Sequence, residues 1–170
     1  SISIDVNELW NNNFTKEDKF TKAPNVMKLI ERFDKLMLFI IEDICSYETS
    51  KARARLITKW ANIAKRCKDL HNYNDLLIIN QCFNLLKKLI STWKKLSKST
   101  LILISELNKF CTNQQCYINI RREIVGCKHI AYIPYIGILL KEIVDIENTY
   151  KYMEKIDNYN CINCVKLQKI

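Results

Sequence analysis

The chain has 170 residues, a net charge of +9, and only two glycines and two prolines. That length supports one ordinary domain with its own core, and 48% hydrophobic with 26% charged residues marks a globular chain, not a disordered one. So few turn-forming residues exclude an all-β sandwich or barrel, and Gly126 and Gly137 alone cannot build a glycine-rich phosphate loop.

Residues 1–23 are polar and Asn-rich and read as an irregular lead-in with one short turn at Glu8-Leu9-Trp10. Pro24 suits the first position of a helix, where its missing N–H costs nothing. Val26, Leu29, Ile30, Phe33, Met37, Ile40 and Ile44 then recur every three or four residues, the mark of an amphipathic helix of about six turns. Ser50 is expected to cap a second helix bearing Ala54, Ile57, Trp60, Ala61, Ala64 and Cys67 on one side. Asn72 or Asn74 caps a third, with Leu76, Leu77, Ile79, Phe83 and Leu86 as its stripe. Trp93, Leu96, Leu101, Ile104, Leu107 and Phe110 predict a fourth. A short basic helix follows from Tyr117 to Val125, with Gly126 as a left-handed stop. The densest apolar run, Ile130 to Leu140, flows through Pro134 and Gly137 into a helix with Ile143, Val144 and Ile146. A polar stretch and a last helix from about Ile162 complete an all-α chain in which no strand is expected. Trp60, Trp93 and the Phe33 stripe are expected in the core.

The basic charge suits an anionic partner surface, whether nucleic acid, membrane or protein. It comes mostly from scattered Lys, which lacks the planar fork that reads bases, so no nucleic-acid partner is expected. His71 and His129 are far apart, and no nucleophile signature surrounds any Ser or Cys, so nucleophilic catalysis finds no constellation. Cys161-x-x-Cys164 has metal-ligand spacing, and Cys111 with Cys116 is a conceivable second pair. Against that, several of the eight cysteines fall on apolar helix faces, where free Cys acts as a small hydrophobe. Free thiols in a reducing cytosol, with no metal and no cofactor, are the expectation. The turn Pro134-Tyr135-Ile136-Gly137, leading into a helix that ends polar, suggests an element buried at its base and projecting at its tip.

A set of motifs recurs in order along nearly the whole chain. It opens with Asp5-Val6-Asn7-Glu8-Leu9, Thr15-Lys16-Glu17-Asp18-Lys19 and Ala23-Pro24-Asn25-Val26, then Leu29-Ile30-Glu31-Arg32-Phe33. Arg53-Ala54-Arg55-Leu56-Ile57, Ile63-Ala64, Leu70-His71-Asn72-Tyr73-Asn74 and Asn84 follow, then Thr92-Trp93 and Arg122-Glu123. The clearest block is Ile133-Pro134-Tyr135-Ile136-Gly137, and Ile162-Asn163 comes last. Together they resemble the catalytic domain of Ras-family guanine-nucleotide exchange factors, with the Ile133 block matching that family's "IPYLG".

The resemblance implies an all-α, multi-helix domain with a protruding helical hairpin, residues 1–170 forming a single catalytic core without the family's first and last helices. The chain starts at Ser1, which fits a fragment or processed form. It further implies a factor that releases GDP from a Ras-family small GTPase without bond chemistry, by inserting the hairpin into the nucleotide site. Carried over residue by residue, Val144 takes the apolar tip position that disfavours Mg²⁺. Glu147 and Asn148 take the acidic pair that competes with phosphate, and Lys141 lies on the same helix. Ile30, Leu77, Asn84 and Tyr135, with Lys169 nearby, would receive a tyrosine of the GTPase switch region. Asn148 departs from an acidic residue, the loop Leu85-Leu86-Lys87-Lys88-Leu89 is about two residues short, and a pocket tyrosine aligns with Ile118, one residue from Tyr117. A factor of this kind is cytoplasmic and reaches the membrane only through its lipidated GTPase. The rival expectation is a non-catalytic GTPase-binding or scaffold domain of the same fold.

Overall fold

The computed structural model describes residues 3–112, 117–126, 130–150, 153–156 and 159–162, the last two stretches by backbone alone. Helices α1 (Val6–Leu9), α2 (Lys19–Lys22), α3 (Pro24–Cys45), α4 (Ser50–Asp69) and α5 (Tyr73–Leu86) come first, with a 3-10 turn at Trp10–Thr15. Then follow α6 (Ile90–Trp93), α7 (Lys98–Phe110), α8 (Ile118–Gly126) and α9 (Ile136–Thr149), and last the strands β1 (Met153–Ile156) and β2 (Tyr159–Ile162). Two compact units result: residues 1–31 with 136–170, and residues 32–135.

In the central unit, α4 packs on α5, α6 and α7. The small stripe Ala54, Ile57, Ala61 and Ala64 is buried as its spacing predicts, and small residues there let backbones approach. Five consecutive residues of α5, Leu76 to Asn80, are buried, as are Cys82, Phe83 and Leu86. A helix covered nearly all round is a core helix, not an amphipathic one.

Half-buried and exposed polar bonds tie the elements. Arg53 donates through Nε to Thr92 Oγ1 at 3.1 Å and through Nη1 to the carbonyls of Tyr47 and Glu48 at 2.7 and 3.0 Å. One guanidinium thus closes the α3–α4 loop onto α6. Asn72 caps α5 by accepting from Asp75 N–H at 3.1 Å. Beside it, Tyr73 N–H donates to Ile133 O and Ile133 N–H to His71 O, each at 3.0 Å. This parallel bridge anchors the segment that leads to Tyr135. The Tyr73 hydroxyl donates to Glu123 Oε2 at 3.1 Å, which brings α8 to the same place.

The terminal unit is organised by one carboxylate. Glu8, only 4% exposed, accepts from the first available N–H groups of α3, Asn25 at 2.7 Å and Val26 at 3.0 Å, and from the Asn25 amide at 2.7 Å. Its other reach is back to Asp5 N–H at 3.3 Å, completing a capping box on α1. Phe14, Ala23, Val26 and Leu140 form the core there, with Leu9, Ile30, Ile136, Ile143 and Val144 packed around it.

Several expectations need correction. The lead-in is ordered as α1, the 3-10 turn and α2, because Glu8 and Phe14 are buried and fix it. Thr49, not Ser50, caps α4, accepting from Ala52 N–H at 3.2 Å. The single helix expected from Trp93 to Phe110 is two: α6 ends at Trp93, and Ser97, with an extended backbone, caps α7 through Thr100 N–H. Gly126 is the last residue of α8 and is not left-handed. Trp60, Trp93 and Phe33 are half-exposed: each indole needs an acceptor, and finds Asp43 Oδ2 at 2.9 Å and Leu86 O at 2.7 Å respectively.

The all-α class holds for the body of the chain, but α9 is followed by an antiparallel ribbon pairing Met153 with Ile162 and Ile156 with Tyr159. β-branched and aromatic residues at 156, 159 and 162 suit paired strands. The ribbon stands where the polar stretch and the second helical arm were expected. Ile162 closes β2, and residues 163–170 of the expected last helix lie outside the described residues.

Among the described residues, Cys45, Cys67, Cys82 and Cys111 are free thiols, and no cluster of metal-ligating side chains occurs. Burial pushes the Cys82 and Cys111 thiols up to about 12, and raises Cys67 less. Thiolate is the reactive form. Iodoacetamide at pH 8 is therefore expected to label exposed Cys45 and to spare Cys82 and Cys111 until the chain unfolds, as read by peptide mass mapping. Rapid native labelling of Cys82 would contradict the burial of α5.

Candidate functional site

A groove of about 400 Å³ opens in the central unit, lined by Leu77, Asn80, Gln81 and Asn84 of α5, Asn108, Cys111 and Thr112 at the end of α7, and Tyr117. The i, i+3, i+4, i+7 spacing of Leu77, Asn80, Gln81 and Asn84 puts all four on one face of α5. Leu77 and Asn80 are buried at its floor, 1% and 5% exposed, while Asn84 is exposed at its lip. Tyr117 has a left-handed backbone at φ 60°, which turns the chain into α8. Its ring meets Tyr135 edge-on at 5.7 Å, and Tyr135 in turn lies 5.7 Å from Phe33.

Three of the five expected binding residues are thus brought to one place: Leu77 and Asn84 line the groove, and Tyr135 backs it through Tyr117. Tyr117, not Ile118, supplies the wall, because the left-handed residue precedes the helix and Ile118 is the first residue inside it. Ile30 packs in the core of the terminal unit. Lys169 lies outside the described residues. Gln81 and Asn108 were not singled out in the sequence. Their signal was available in part for Gln81, since carboxamides at positions 80, 81 and 84 interrupt the apolar run that α5 begins at Leu76.

The four residues expected on the projecting helix divide between two faces of α9. Val144 and Glu147 share a face with Leu140 and Ile143 and look toward the 3-10 turn. Val144 is half-buried against the Phe14, Ala23, Val26 and Leu140 core. Glu147 Oε1 accepts from Asn11 N–H at 3.2 Å, where Asn11 and Asn12 are both left-handed at φ 50° and 52°. Asn tolerates that conformation better than other side chains bearing a Cβ. Lys141 and Asn148 are exposed on the other face, Lys141 paired with Asp145 at 3.1 Å.

Sequence comparison decides the family. The profile of the RasGEF domain matches residues 2–168. The chain belongs to the RasGEF domain family. Mouse Ras-specific guanine nucleotide-releasing factor 1 is 34% identical over 155 residues, covering 89% of this chain and 12% of that protein. Mouse Ras-specific guanine nucleotide-releasing factor 2 is 32% identical over 147 residues, 85% of this chain and 12% of that protein. Ras guanine nucleotide exchange factor Y of Dictyostelium discoideum is 30% identical over 143 residues, 83% and 9% respectively. The RasGEF chain therefore spans about an eighth or less of the length of these relatives. Among its described residues, no helix is long and apolar enough to cross a membrane.

Proposed function

We propose that this RasGEF domain, read as one catalytic core over residues 1–170, promotes GDP release from a Ras-family small GTPase. It does so without making or breaking covalent bonds. The observation that carries this reading is that Leu77 and Asn84 of α5 line one groove with Tyr117, whose ring packs on Tyr135 of the Ile133 block. The relatives' names, which describe Ras-specific releasing factors, point the same way. Ile30 and Lys169 enter the binding surface through the resemblance alone.

In this reading the groove holds the GTPase by its switch region, and α9 must turn Val144 away from the Phe14, Ala23, Val26 and Leu140 core and release Glu147 from Asn11 before either meets the nucleotide. An apolar group at the metal site and a carboxylate facing phosphate-binding N–H groups both weaken the electrostatic hold on Mg²⁺ and nucleotide. The factor stabilises the empty GTPase, and by reciprocity nucleotide expels the factor. It acts in the cytoplasm and meets membrane through the lipidated GTPase.

Release of a fluorescent GDP analogue from a panel of Ras-family GTPases, with and without the chain, tests the proposal; acceleration of at least one is expected. Tyr135→Ala is expected to weaken GTPase binding by about 2 kcal/mol, as for a central interface aromatic. Circular dichroism must show the variant folded, because Tyr135 also packs on Phe33 and Tyr117. Undiminished binding by a folded variant would remove Tyr135 from the surface. A scaffold domain that binds without accelerating release is the second reading. It is favoured by one observation: the second position of the expected acidic pair, Asn148, is uncharged.

A further inference from the structure

The net charge of +9 is unevenly placed. Residues 49–68 hold seven Lys and Arg, residues 76–105 hold five Lys, and neither stretch contains an Asp or Glu. Those twelve charges exceed the total, so the rest of the chain is slightly acidic. The fold brings the two stretches together, because α4 spans nearly all of the first, and α6 and α7 pack on it. Arg53 of α4 donates to Thr92 Oγ1 at 3.1 Å, and Thr58 Oγ1 lies 3.3 Å from Thr100 Oγ1. Thr92, Leu96, Thr100 and Ile104, every fourth residue, are buried, and the two threonines fix that row against α4.

Interleaved with that row, Ile90, Lys94, Lys98 and Ile102 are exposed, and Lys95 and Leu101 widen the strip. Ile90 is 65% exposed, Leu101 42% and Ile102 51%. Lys94 N–H donates to Ile90 O at 3.1 Å, and Lys98 stands three and four residues before Leu101 and Ile102, so each aliphatic group has a Lys on its own face. Among the described residues no carboxylate pairs with Lys94, Lys95 or Lys98. Exposed apolar groups rimmed by charge mark a contact with a partner. Here the partner must be anionic and must also offer an apolar phase. Nucleic acid meets only the first demand, and it also wants exposed aromatic rings on which bases stack. The strip has none: Trp93 is half-buried, with its Nε1 donating to Leu86 O at 2.7 Å. We propose that the α6–α7 strip docks on a membrane leaflet carrying anionic phospholipid, its lysines among the headgroups and Ile90, Leu101 and Ile102 in the acyl boundary. No described helix is long and apolar enough to cross a membrane, so the contact is peripheral. It is direct, additional to the route through a lipidated GTPase, and independent of how the groove is read.

Co-sedimentation of the whole chain with vesicles that carry no GTPase tests this. Phosphatidylcholine vesicles with added phosphatidylserine are expected to bind at least about tenfold more tightly than phosphatidylcholine alone, and less tightly as salt rises. Lys94→Gln with Lys98→Gln is expected to weaken binding to the mixed vesicles at least about tenfold. Ile90→Asn with Ile102→Asn, which leaves the charge intact, is expected to do the same. Circular dichroism checks that both pairs fold. Lys16→Gln with Lys19→Gln, in the terminal unit, removes the same charge and is expected to change binding little. Equal losses from the two lysine pairs would mean that net charge alone attracts the vesicles, and would overturn the proposal. Indifference to phosphatidylserine, full binding by the folded isoleucine pair, or capture of duplex DNA in preference to the mixed vesicles would overturn it too. If the chain accelerates GDP release from no GTPase yet binds the mixed vesicles through this strip, the exchange reading fails and the membrane surface remains.

Discussion

Glu8→Ala is expected to destabilise the terminal unit by about 3 kcal/mol, since hydrogen bonds to a charged group contribute roughly 1.5–3 kcal/mol each but do not add fully. The carboxylate accepts from two main-chain N–H groups at the start of α3, and Pro24 before them has none to give. Truncation leaves the buried Val26 amide without an acceptor and unfastens α1 from α3 in one step. Hydrogen exchange at Val26 and a thermal melt report the change. Unaltered protection at Val26 would show that another acceptor replaces Glu8.

The same carboxylate predicts an acid sensitivity with a definite sign. Burial alone raises the Glu8 carboxyl, but its bonds to Val26, Asn25 and Asp5 outweigh that and hold it below the ordinary value of 4.5. A group depressed in the folded state binds fewer protons folded than unfolded, so stability rises with pH through this range. The contribution is full above the unfolded value and is lost as pH falls through the folded one. Asp18 and Asp69 shift the same way through their bonds to Lys22 and Lys65. The Glu8 share is therefore read from Glu8→Gln, whose melting temperature should fall less steeply than the wild type's below about pH 4.5. Parallel curves would sink the assignment.

The motifs that made the family legible turn out to be largely scaffold. Arg53 binds loop carbonyls and Thr92, Glu123 receives the Tyr73 hydroxyl, Asn72 caps α5, and Glu8 caps α3. Each is a polar group whose partner sits far away in sequence or across a turn, so its residue type was visible and its purpose was not. Helix positions followed from periodicity, which depends only on neighbours three and four residues apart. Breaks did not: α6 ends at Trp93 and Ser97 caps the next helix, while an apolar stripe runs through both. The groove was half legible. Leu77 and Asn84 came from the resemblance, but Gln81 and Asn108 acquire meaning only once α7 lies beside α5. The ribbon after α9 was missed because ten residues of mixed polarity carry no decisive period.

The second large effect is expected at the end of α9. Glu147→Ala should slow nucleotide release at least about tenfold, equivalent to 1.4 kcal/mol of barrier, while Asn148→Ala changes little. Three features rank Glu147 above Asn148. Only Glu147 carries a charge, and charge-assisted hydrogen bonds are about twice as strong as neutral ones. It shares a face with Val144, the expected apolar tip, whereas Asn148 sits with Lys141 on the other face. Its carboxylate already accepts a main-chain N–H, from Asn11, and main-chain N–H groups are what a phosphate-binding loop offers. Engaging a GTPase then exchanges one such donor for others, a near-neutral step at an exposed bond of 3.2 Å. Asn148→Glu separates this from a slow domain that lacks its acid. If Glu147 carries the role, an added carboxylate on the other face leaves the rate unchanged; if position 148 is the true acidic site, Asn148→Glu accelerates release and Glu147→Ala is silent. An active domain indifferent to all three substitutions would take the tip away from this end of α9 altogether.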